Sequence, residues 1–218
     1  MTGIKAVIFD LDGTLVRYHG VEFESSWGAI AAAAGKREDS ERLLAEYLPR
    51  RDAYPEWVKR DALLLAGIPV SEVTRKIFPP PYAAGAQEAI RELRGRYRLG
   101  ILSSGVDLVA DHVRDDLGLD FAVANHLEIA DGRFTGGSET RVDLWRKAEV
   151  LRTIAAAQRL ELSEICYVGD HLNDVPVLEI VGLGIAFNPK DAALERAADR
   201  ITRDFARIPE LIEASQVI

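Results

Sequence analysis

Five short apolar runs, Ala6 to Phe9, Leu99 to Leu102, Phe121 to Ala124, Ile165 to Val168 and Leu183 to Phe187, recur along the chain between turn residues. Each is almost continuously apolar, the pattern of a strand buried on both faces. Between most of them lie stretches such as "AGAQEAIRELRGR", "VDLVADHVRDDLG", "VDLWRKAEVLRTIAAAQRL" and "DVPVLEIV", whose apolar residues recur three and four apart as in amphipathic helices. Alternating strands and helices predict an α/β fold, a parallel sheet covered on both faces.

One region breaks the alternation. From about Val21 to Phe78 the chain holds "SSWGAIAAAAG", "DSERLLAEYLPR", "YPEWVKRDALLLAG" and "SEVTRKIF", with no convincing strand, and it closes on Pro79, Pro80 and Pro81, which exclude helix. This predicts a small all-helical cap, residues 17–79, inserted after the first strand into a core made of residues 1–16 and 80–218. The 218 residues suit one core domain carrying such an insert. "ADGRFTGGSE", Ala130 to Glu139, has two turn signals around a short apolar pair and predicts a hairpin beside the core.

The formal net charge of -8 disfavours nucleic acid and anionic lipid as partners. Cys166 is the single cysteine, so no intramolecular disulfide can form and a reducing compartment fits. No run approaches the ~20 apolar residues of a membrane span, and the start "MTGIKAVIFD" lacks a signal-peptide pattern, so the expectation is a cytoplasmic protein with no membrane partner.

In open parallel sheets ligands bind beyond the carboxyl ends of the strands. Polar residues gather at those ends here. Asp10 and Asp12 follow "AVIF", Ser103 and Ser104 follow "LGIL", and Asp170, Asn173 and Asp174 follow "ICYVG". Paired carboxylates at the tip of a buried strand call for a cation or a shared proton. Magnesium, which takes oxygen ligands, suits Asp10, Asp170 and Asp174. Either pair alone reads better as a turn at Asp12-Gly13 or a helix cap at Asp170; both together at strand ends do not. Ser103 and Gly105 precede a helical pattern, where a hydroxyl and backbone amides can hold an anion or simply cap the helix. Spacing alone does not single out Lys147.

"DLDGT", "SSG", Lys147 and "GDHLND" resemble, in order and approximate spacing, the four motifs of the haloacid dehalogenase superfamily, mostly magnesium-dependent phosphatases. Within it the chain is similar to phosphoserine phosphatases through "GAQEAIREL", "SSGVDLVADHVRDDLGLDFAVANHL", "DGRFTG" and "GDHLND". The resemblance implies a Rossmann-like three-layer core with a mobile lid and hydrolysis of a small phosphorylated metabolite. It implies Asp10 as nucleophile and Asp12 as general acid and base. Thr14, Ser103 and the amides of Ser104 and Gly105 would bind phosphate, Lys147 would spread transition-state charge, and Asn173 would steady phosphate or substrate. Magnesium would be held by Asp10, the Asp12 carbonyl and Asp170, with Asp174 orienting a metal-bound water.

The chain also departs from that pattern. His19 stands where those enzymes place a glutamate that meets the substrate ammonium, with Glu22 as a displaced substitute. Arg60 lies near the place of the cap arginine that grips the substrate carboxylate. His171, Leu172 and Ser104 are bulkier than the usual residues and narrow the expected pocket, with His171 as a wall. Tyr18, Phe23, Trp27, Tyr54 and Trp57 either line the lid or pack its helices, and His112 and His126 have no expected catalytic duty. Asp12 argues against a dehalogenase. Phosphotransfer to another hydroxyl stays open, as does a phospho-ligand-binding relative without activity.

Overall fold

The computed structural model describes residues 3–216. Seven strands form one sheet in the order β4-β3-β2-β1-β5-β6-β7: β1 Ala6–Phe9, β2 Arg98–Val106, β3 Phe121–Ala130, β4 Arg133–Glu139, β5 Ile165–Gly169, β6 Leu183–Phe187 and β7 Arg200–Thr202. All neighbours pair in parallel except β3 with β4, which form the expected hairpin. The three-residue edge strand β7 carries too little apolar pattern to be read from the sequence.

Successive side chains of a strand point to opposite faces, and β1 divides accordingly. Val7 and Phe9 pack into one apolar cluster and Ala6 and Ile8 into another. The first cluster takes Ile90 and Leu93 of α5 (Ala86–Leu93), Val109 and Val113 of α6 (Asp107–Leu117), and Ile208 and Ile212 of the last helix. The second takes Leu151 and Ile154 of α7 (Lys147–Gln158), Val177 and Leu178 of α8 (Val175–Leu178) and Leu194 of α9 (Ala192–Ala197). With α10 (Ile208–Ser215) this makes three layers, helix, sheet and helix.

Between β1 and α5 lie α1 (Ser26–Ala33), α2 (Arg37–Tyr47), α3 (Tyr54–Leu64) and α4 (Val70–Ile77). Their apolar face continues the first cluster through Ile30, Leu65, Val73 and Ile77. The turn between α3 and α4 is pinned to the hairpin by Gly67 N–H to Phe134 O at 2.8 Å, Phe134 N–H to Ile68 O at 3.1 Å and Val70 N–H to Gly132 O at 2.9 Å. The helical insert therefore leans on β3 and β4 as well as on the sheet edge where the strands end.

Two expected helices are shorter than their periodicity. The helix expected from Val142 starts at Lys147, because Asn125 Oδ1 accepts the amides of Arg141 and Val142 and Asp143 Oδ1 accepts that of Trp145. "DVPVLEIV" yields only the four residues of α8. Among the described residues no helix is long and apolar enough to cross a membrane.

Candidate active site

The first turn after β1 is sharp. Gly13 sits at φ +80°, and a Cβ there would lie 2.2 Å from Asp170 Oδ2, so only glycine lets the β1 loop approach the end of β5. That approach brings together carboxylates 160 residues apart in the chain. One ligand oxygen each from Asp10, Asp170 and Asp174 lies within 4.8 Å of the others, and all three side chains are buried.

Lys147, at the first position of α7 and 1% exposed, sits among them with Nζ 2.9 Å from Asp10 Oδ2 and 2.6 Å from Asp174 Oδ1. Tyr167 Oη donates to Asp174 Oδ1 at 2.9 Å, and the amides of Asp170 and His171 donate to Asp174 Oδ2 at 3.1 and 3.2 Å. The lone pairs of Asp174 are thus largely used in holding the loop and the lysine. Asp10 Oδ1 accepts the Leu11 amide at 2.7 Å. Asp170 is held by the Thr14 hydroxyl at 3.2 Å and by Lys190 Nζ at 2.9 Å. Thr14, expected at the phosphate, is fully buried and spends its hydroxyl on Asp170 instead.

Burial pushes Asp10 up to about 7, against the pull of Lys147 and with the help of Asp174 and Asp170; Asp170 is raised by burial to about 6. Among the described residues, Asp10, Asp12, Asp170 and Asp174 face only two amines, Lys147 and Lys190. An all-oxygen, carboxylate-rich and largely desolvated donor set of this kind fits a hard divalent cation.

Asp12 belongs to a different environment. Its Oδ1 accepts the Ser26 amide at 2.9 Å and its Oδ2 the Ser26 hydroxyl at 2.7 Å, at the start of α1. Burial, opposed by these hydrogen bonds, pushes its carboxyl up to about 7. Gly105 lies against this pair, where a Cβ would come 2.6 Å from Asp12 Oδ2 and from Ser26 Oγ. At the end of β2, Ser103 Oγ accepts the Gly105 amide at 3.0 Å. Three donors meet on the Ser104 carbonyl: Trp27 Nε1 at 3.1 Å, Tyr54 Oη at 2.8 Å and Asn125 Nδ2 at 2.8 Å. Two of these come from insert helices, so the insert is fastened to the loop at the end of β2 by polar contacts.

A cavity opens between the strand ends and the insert. Asp10, Asp12, Ser103, Ser104, Gly105, Asp170, His171 and Asn173 line its core side; Phe23, Trp27, Leu44, Leu48, Tyr54, Trp57 and Val58 line the insert side. Four of the five singled-out aromatics therefore face the cavity, while Tyr18 is buried with its hydroxyl near the Ile77 carbonyl. His171 forms part of the wall, edge-on to Phe23 at 5.1 Å between ring centres. His19 is exposed beside Glu24, Arg60 is exposed and paired with Glu56, His112 stacks on Phe78 and His126 pairs with Asp107.

Sequence reading passed over Tyr167, Lys190, Glu24, Ser26, Asn125 and Asp61. Lys190 was within reach: it follows β6 at the same sheet edge and its Nζ bridges Asp170 and Glu24 Oε2. Tyr167 had no signal, since an aromatic within a buried strand reads as core.

The chain matches the model of the haloacid dehalogenase-like hydrolase family over residues 7–179. It is 35% identical over 203 residues to a phosphoserine phosphatase of Streptomyces coelicolor, covering 92% of this chain and 48% of that one, so it spans about half of that relative. It is 32% identical over 195 residues to the phosphoserine phosphatase of Methanocaldococcus jannaschii, covering 88% of this chain and 90% of the other. A solved phospho-aspartyl intermediate analogue of phosphoserine phosphatase superposes with a TM-score of 0.78 at 31% identity, over 96% of this chain and 99% of its own. A substrate-bound phosphoserine phosphatase complex gives 0.78 at 30%, over 97% and 99%. Matched in sequence along most of its length and in fold over nearly all of it, the chain belongs to the haloacid dehalogenase-like hydrolases, as a phosphoserine phosphatase-like member.

Proposed function

We propose that this chain is a phosphatase, hydrolysing phosphate monoesters of small metabolites through an aspartyl-phosphate on Asp10, beneath a helical cap of residues 17–79. The observation that carries the reading is the division of labour between carboxylates two residues apart. Asp10 is paired with the Lys147 ammonium, and Asp12, half-buried against Ser26, is pushed up to about 7 so that it holds a proton near neutrality. Burial raises Asp10 to about 7 as well, so geometry carries the assignment: the carboxylate 2.9 Å from the ammonium is kept ready to ionise as the nucleophile, and the one held only by the Ser26 hydroxyl and amide is the acid.

In the first step Asp10 attacks phosphorus, the bond from phosphorus to the ester oxygen breaks, and Asp12 gives its proton to the departing alcohol. In the second, Asp12, now a carboxylate, takes a proton from water as that water attacks phosphorus, and the bond to Asp10 breaks to release phosphate. Ser103, Ser104, Gly105 and Asn173 line the cavity beside Asp10, where they would receive phosphate oxygens. Lys147, fixed by Asp174 and Tyr167, offsets charge on the nucleophile and on the transferring group. Asp10, the Asp12 carbonyl and Asp170 would hold magnesium, with Asp174 fixing their surroundings. When bound, the cation would supply neutralisation between the carboxylate and the phosphoryl oxygens.

The test is release of inorganic phosphate from a panel of small phosphate esters with and without magnesium. Magnesium-dependent release that Asp10→Asn abolishes is the expected result. Release indifferent to that substitution would remove Asp10 as nucleophile, and transfer to an added alcohol in place of release would make the chain a phosphotransferase.

A further inference from the structure

The insert side of the cavity carries an unusual charge pattern. Its charged lining residues are Glu22, Arg37, Glu41 and Asp61, three acids against one base. The base is engaged: Arg37 reaches the Gly20 carbonyl at 2.6 Å and lies 3.8 Å from Glu41. Arg60, one position before Asp61, points to solvent with Glu56, as a helix that turns 100° per residue requires of a neighbour.

Asp61 is the buried member of the set, 7% exposed on α3. Its Oδ1 accepts the Ser40 hydroxyl at 3.1 Å from α2. The indole of Trp57, one helical turn back, faces the carboxylate and favours its ionised form, yet its Nε1 is buried and makes no hydrogen bond of good geometry among the described residues. Among the described residues the carboxylate has no cationic partner; it stands in a mostly apolar wall that includes Leu44, Leu48 and Val58, and burial raises it to about 7. A desolvated carboxylate at a cavity wall gains most from a ligand that brings positive charge or strong donors, and it repels a second carboxylate.

We propose that Asp61 sets substrate choice, so that the alcohol part of the phosphate ester bears an ammonium or comparable donor group, has an apolar body and lacks a carboxylate. This rests on the phosphatase reading of the same cavity. It sets the chain apart from an enzyme built for an amino-acid phosphate: a carboxylate on the substrate would meet Glu22, Glu41 and Asp61, with Arg37 already paired.

O-phosphoethanolamine and O-phosphoserine differ only by the carboxylate, so their ratio reads the proposal directly. In magnesium buffer the unaltered protein is expected to favour phosphoethanolamine in kcat/KM by about tenfold or more. Asp61→Asn should bring the ratio near one, chiefly through KM for phosphoethanolamine, and Asp61→Arg should invert it. Phosphoserine turned over equally well or better by the unaltered protein overturns the proposal. So does a ratio indifferent to both substitutions in variants whose circular dichroism and melting match the parent. Calorimetric binding of the two esters to Asp10→Asn reads the preference without turnover: equal binding, or no binding of either, overturns it. Preferential binding of phosphoethanolamine with no phosphate release by the unaltered protein would instead sustain Asp61 and overturn the phosphatase reading.

Discussion

Replacing Lys147 with methionine probes the centre of the site, because the side chain keeps its length and loses only its charge and donors. In the folded chain Nζ has no access to solvent and lies 2.9 Å from Asp10 and 2.6 Å from Asp174. Removing one partner of a buried ion pair strands the other charge in a poorly solvated place, at a cost of about 3–5 kcal/mol. With a urea dependence of about 2–3 kcal/mol per molar, the unfolding midpoint should fall by about 1–2 M. Phosphate release should drop about 10²- to 10³-fold, the usual loss when one charged donor leaves a preorganised site. Adding Asp174→Asn removes one of the two stranded charges, so the double variant should recover at least about 1 kcal/mol relative to the sum of the single changes. Equilibrium urea unfolding, followed by fluorescence in metal-free buffer, measures all three proteins. A midpoint change under about 0.3 M for Lys147→Met, or strict additivity in the double variant, would refute the reading of Lys147 as the counter-ion of these carboxylates.

Ser26→Ala removes the hydroxyl that donates to Asp12 Oδ2 at 2.7 Å. That bond favours the ionised form, so its loss raises the Asp12 pKa further above about 7. If Asp12 is the acid proposed above, it must be protonated to release the alcohol, and the high-pH fall of kcat/KM should move upward by about one pH unit, one unit being ~1.4 kcal/mol; a limb that stays or moves down counts against Asp12 as the acid. Gly13→Ala forces a side chain into φ +80° and against Asp170. It should lower stability by about 1–2 kcal/mol or more and weaken magnesium binding, measured by thermal melting and calorimetry; unchanged magnesium affinity would show that the Asp170 position does not depend on this turn.

The sheet was legible from the sequence because its strands are buried on both faces and so had to be apolar along their whole length, while the helices between them show one apolar stripe each. The strand-end rule then located Asp10, Asp12, Ser103 and Asp170 at one edge, since backbone direction in a parallel sheet leaves little choice of where loops and their polar groups emerge. The hairpin at Ala130 to Glu139 was equally plain from its turns, whereas the start of α7 was hidden because Asn125, far away in sequence, takes the amides that would have begun it. Tertiary structure alone decided that Thr14 serves Asp170, that Ser26 of the insert bonds Asp12, and that Asp61 rather than Arg60 faces the cavity. A helix periodicity shows which residues share a side, but not which side a neighbouring segment will cover. That choice is made by packing α3 against α2 and the hairpin, and a rotation of one residue there exchanges a cation for a buried carboxylate at the cavity wall.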